Sequence, residues 1–74
     1  MYVKVQYYKG DGIYGGAAYT YETKLSLEPM VKVIAPTAKE PRQRAIVTLC
    51  GVEKPAFACK EITEYDPEGE VESV

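Results

Sequence analysis

Apolar and polar side chains alternate along residues 1–8, with Val3, Val5 and Tyr7 on one face and Tyr2, Lys4, Gln6 and Tyr8 on the other. That period of two predicts a strand whose valine face turns inward. The period returns over residues 17–23, where Tyr19 and Tyr21 share one face and Thr20 and Glu22 the other. Residues 30–36 carry apolar side chains on both faces, Val31, Val33 and Ala35 against Met30 and Ile34, as a strand covered on both sides does. Pro36 ends that run, because proline has no ladder donor. A fourth strand, residues 44–52, sets Ala45, Val47 and Leu49 opposite Ile46, Thr48 and Cys50; a short closing strand, residues 60–65, is anchored by Ile62.

Between these runs lie turn residues. The glycine cluster of residues 9–16 predicts a long, mobile hairpin loop. It contains a literal G-x-G-x-x-G in Gly10, Gly12 and Gly15. A dinucleotide fingerprint needs a helix after its last glycine to aim amides at a pyrophosphate, whereas Tyr19, Thr20 and Tyr21 follow here and favour a strand. Residues 51–59, with Pro55 and Phe57, predict a tight turn or one 3₁₀ turn that tucks Phe57 against the end of the sheet. The expected fold is all-β: a small five-stranded SH3-like barrel over residues 1–65, an OB-like arrangement being the second choice. Residues 66–74, acidic with only Val71 and Val74 as large apolar residues, form a flexible tail in this reading.

Size and charge narrow the function. A chain of 74 residues supports one domain with a thin core. At 46% hydrophobic and 27% charged, its composition is that of a soluble globular protein. No apolar run approaches the roughly 20 residues that cross a bilayer, and no charged segment followed by an apolar one opens the chain; the expected location is cytoplasmic. Residues 1–44 carry seven Lys/Arg against four Asp/Glu, and residues 45–74 two against seven. The basic part suits weak phosphate contact and the acidic part a basic partner surface.

Histidine is absent, and Cys50 and Cys59 make neither a CxxC pair nor a four-ligand zinc set; two reduced, structural thiols are expected. Asp11 and Glu22 are the one carboxylate pair that a hairpin could bring face to face. The expectation is no catalytic residue, no metal and no cofactor. Tyr19 and Tyr21 are either a stacking platform for bases or core packing in a chain without tryptophan and with one phenylalanine. Lys39, Arg42 and Arg44 fall in the most basic segment, residues 37–44, which is either a phosphate-contacting loop or a solvated connection.

Tyr19-Thr20-Tyr21, the leucines Leu25 and Leu27, Val31-x-Val33-x-Ala35-Pro36 and Ala45-Ile46-Val47 together resemble small bacterial and phage β-barrel proteins. These are in turn similar to the amino-terminal DNA-binding domain of the primosomal replication-restart helicase. The likeness runs over residues 2–62 and departs at Pro29-Met30, where the family has glycine, and at Thr37-Ala38, where the helicase has Phe-Gly. The resemblance implies nucleic-acid contact, since that helicase module captures a DNA 3′ end. The expected function is a non-enzymatic accessory protein, phage or mobile-element encoded, binding single-stranded DNA or a replication or defence protein complex. Tyr19 and Tyr21 would stack bases while Lys39, Arg42 and Arg44 contact phosphates. The competing expectation is a protein-interaction module or inhibitor, working through a strand edge or the acidic carboxyl-terminal region.

Overall fold

A computed structural model describes residues 1–67. It is all-β: β1 (Tyr2–Gly10), β2 (Ile13–Thr23), β3 (Lys32–Ala35), β4 (Gln43–Val52), β5 (Glu61–Ile62) and β6 (Glu64–Tyr65). These form one sheet in the order β5-β2-β1-β4-β3-β6. The β2–β5 pair is parallel and every other pairing is antiparallel.

The β1–β2 hairpin is tighter than residues 9–16 suggested. Gly10 pairs with Ile13 across a two-residue turn in which Asp11 and Gly12 both have positive φ, 55° and 76°. That is a type I′ turn, whose twist matches the strands it joins and which favours Asp-Gly. The Gly12 amide donates to the Tyr8 hydroxyl at 2.9 Å, fixing the tip. Residues after Gly15 continue as β2, so the glycine spacing belongs to a hairpin. Asp11 sits at the tip while Glu22 pairs with Tyr2 at the far end, so the two carboxylates never meet.

Val3, Val5, Val33, Ala35, Ala45, Val47 and Ile62 are fully buried and, with Tyr21 and Leu27, make up the core. Each buried valine or isoleucine contributes roughly 1.5–3 kcal/mol relative to exposure. The valine face of β1 turns inward as its period predicts, and all three apolar residues of β3 are buried. Leu49 breaks the pattern at 53% exposed, while Cys50 packs on the core. The register of β4 on β1 slips between Lys4↔Leu49 and Val5↔Val47, leaving Thr48 as an extra residue. Such a bulge exchanges the faces of the residues that follow it, here Leu49 and Cys50, until a second slip at Gly51.

The expected closing strand is divided, so the sheet has six strands rather than five. Glu61–Ile62 pairs with β2, and Glu64–Tyr65 with β3, at opposite sides of the sheet. Exposed Thr63 is the step between them. Buried Thr23 ties the first half down, its hydroxyl donating to the Ile62 carbonyl at 2.9 Å and accepting from the Leu25 amide. Asp66, assigned to the tail from sequence, is 1% exposed and accepts from Arg44 Nε at 2.8 Å. Pro67 is exposed, and residues 68–74 of the expected tail lie outside the described residues. Phe57 is 63% exposed rather than tucked in. Cys50 and Cys59 are free thiols.

Candidate nucleic-acid interface

β1 and β2 bring three tyrosines together at one end of the core. Tyr21 pairs with Val3 and Tyr19 with Val5, and the even spacing gives both rings the same face. Tyr21 lies over the core at 4% exposure, whereas Tyr19, two residues nearer the end, is 46% exposed. The Tyr21 hydroxyl donates to the Pro36 carbonyl at 2.8 Å and shares a 2.7 Å hydrogen bond with the Tyr7 hydroxyl. Burial, and then the bond to Tyr7, push the Tyr21 pKa well above the ordinary tyrosine value. Tyr21 is a core residue with no face for a base. Tyr7 takes the place beside Tyr19 that was expected of Tyr21: the two rings stack with centroids 4.8 Å apart and planes 12° apart.

A bulge sets this arrangement. On β1 only Gln6 lies between Val5 and Tyr7, whereas on β2 residues 16–18 lie between the partners Tyr19 and Gly15. Gln6 Nε2 caps the bulge by donating to the Gly16 carbonyl at 2.8 Å. Gly16 has φ +84°, and a Cβ there would come within 3.3 Å of Lys9 Cε, so the lysine stem lies along the glycine.

Two adjoining grooves meet at the Tyr7–Tyr19 stack. The first, about 470 Å³, runs between β2 and the 57–60 segment and is lined by Lys4, Phe57 and Lys60, with no carboxylate lining it among the described residues. The second, about 590 Å³, runs toward the β3–β4 connection and is lined by Lys9, Lys39, Glu40 and Gln43. Tyr7, Tyr19, Thr37 and Ala38 belong to both. The Glu40 carboxylate accepts from the Arg42 amide. The loop carrying Lys39 is held by Thr37, whose Oγ1 accepts from the Glu40 amide at 2.8 Å and whose amide donates to the Glu40 carbonyl at 2.8 Å.

Tyr19 and Lys39 are therefore brought together, Tyr21 lies beside them as a nearly buried wall of the first groove, and the two arginines lie elsewhere. Arg42 forms an exposed ion pair with Glu64, whose hydrogen bond and charge raise its pKa. Arg44 is committed to Asp66 and lies over the Tyr8 ring, Cζ 4.5 Å from its centroid. Tyr14 packs against Tyr8 at 5.1 Å and completes this second cluster; burial raises its pKa, with Arg44 opposing. Arg42, just before β4, and Arg44, within it, hold Glu64 and Asp66. Sequence reasoning missed Tyr7, Lys4, Lys9, Phe57 and Lys60. The continued inward period of Val3, Val5 and Tyr7 is the signal that could have found the stacked ring, while the lysines converge only through the fold. Compared with family models, curated proteins and solved structures, the chain finds no match.

Proposed function

We propose that this chain is a non-enzymatic accessory protein that binds nucleic acid, or a complex handling it, at the Tyr19 surface. One observation carries the reading: an aromatic ring that is 46% exposed, backed by a second ring at 4.8 Å and set where two lysine-bearing grooves join. A half-exposed ring with lysines lining the groove on each side matches a base and its flanking phosphates. The resemblance to the helicase's DNA-binding module points the same way. Its finer architecture, the SH3-like barrel, takes β5 and β6 as one kinked strand between β2 and β3; burial of Ile62 and the double pairing of residues 61–65 support it.

Fluorescence anisotropy with a labelled oligonucleotide tests the reading. Four lysines meeting four phosphates give log K a slope of about −3 against log salt for a single strand. No change in anisotropy at low salt, where the attraction is strongest, removes the proposal. A protein-interaction module is the second reading, favoured by the outer edge of β2, which pairs only at Glu22 and Thr23 among the described residues. Partners that survive nuclease treatment of a pull-down would support it.

A further inference from the structure

We infer that the ligand is a single strand rather than a duplex, and that it lays one base on the outer face of Tyr19. Its backbone crosses from the Lys4 and Lys60 groove into the Lys9 and Lys39 groove; this rests on the nucleic-acid reading above. Tyr7 covers one face of the Tyr19 ring in a near-parallel stack, so one base can extend the stack by one layer. A base inside a duplex has neighbours on both faces and offers none to a ring beside a groove, whereas a single strand splays its bases onto aromatic side chains.

The two grooves share the ring, Thr37 and Ala38, so a strand threading both meets two lysines on each side of the stacked base. Phe57, 63% exposed in the first groove, gives a second apolar surface on the path. An extended acidic peptide would use the same lysines, yet it has no use for a flat ring with one open face.

The test uses the full chain and anisotropy with oligothymidylate of about 12 nucleotides, within the site sizes of single-strand binders. Matched oligouridylate, a blunt duplex of equal length and a polyglutamate competitor complete the set. Both single strands are expected to bind, because stacking and lysine contacts do not read the sugar. Tyr19→Phe keeps the affinity, while Tyr19→Ala weakens it about 5- to 150-fold without altering the salt slope. Removing either lysine pair by alanine substitution lowers the slope by about 1.4.

A urea midpoint for each variant confirms that it is folded. If Tyr19→Ala binds like the parent while lysine loss weakens binding, the stacked base is wrong although nucleic-acid binding stands. Equal affinity for the duplex overturns the inference in the same way. Polyglutamate displacing the strand, with binding of both indifferent to Tyr19, transfers the grooves to an acidic peptide and overturns it too. If no oligonucleotide binds at low salt, the reading beneath it fails.

Discussion

Replacing Tyr21 by phenylalanine removes one oxygen atom from the join between the core and the candidate interface. That oxygen donates to the Pro36 carbonyl at 2.8 Å and shares a 2.7 Å bond with the Tyr7 hydroxyl. A hydrogen bond contributes about 1 kcal/mol net, and a partner left unpaired costs about 1–3 kcal/mol when it is buried. Tyr7 and Pro36 are half-buried, so water re-pairs part of what is lost. The expected destabilisation is about 2 kcal/mol, which lowers the melting temperature by about 8–16 °C in a domain this small. Urea denaturation followed by tyrosine fluorescence measures it, and an unchanged m-value shows that the same surface is buried. Oligonucleotide affinity should stay within about twofold of the parent where the variant is folded, since Tyr21 offers no face to a base. A cost under about 0.5 kcal/mol refutes the energetic argument; a large loss of affinity in folded protein refutes the assignment of Tyr21 to the core.

The same hydroxyl predicts an alkaline transition. Its folded pKa lies above the unfolded value, so its contribution is fully present below about pH 10 and is lost as pH rises from there through the folded value. Denaturation midpoints should fall above pH 10, and Tyr21→Phe should flatten that fall. Met30 has φ 77° and is 73% exposed at the third position of the 28–31 turn. Glycine accepts that geometry freely, so Met30→Gly should stabilise by about 0.5–1 kcal/mol in urea titrations; destabilisation would mean that the side chain contributes packing. Arg44→Ala removes the ion pair made at nearly inaccessible Asp66 and should cost about 3 kcal/mol. Arg42→Ala breaks only an exposed pair and should leave the urea midpoint unmoved.

Much of the fold was written in local patterns. The period of two in residues 1–8 and the apolar faces of residues 30–36 each placed a strand, with Val3, Val5 and residues 33–35 buried as expected and Met30 left outside β3 and exposed. What failed was geometry that the period cannot carry. The bulge at Thr48 turns Leu49 outward, and nothing in Ile-Val-Thr-Leu-Cys announces it. Asp11-Gly12 was legible as a type I′ turn, but the surrounding glycines disguised it as a loop. For the site, Tyr19 and Tyr21 share a face as their spacing requires, yet distance from the end of the sheet separates a half-exposed ring from a core ring. Clustering of Lys39, Arg42 and Arg44 in sequence suggested one basic surface. Pairing with Glu64 and Asp66, more than 20 residues away, neutralises the arginines and leaves the lysines.

Amide chemical-shift mapping of isotope-labelled protein titrated with oligothymidylate locates the contact without altering a residue. Perturbations are expected at residues 18–20, 37–39 and 57–60 and at Lys4 and Lys9, with the amides of Arg44 and Asp66 unmoved. Shifts centred on Arg42 and Arg44, or a spectrum that does not respond at low salt, would contradict a strand bound across Tyr19.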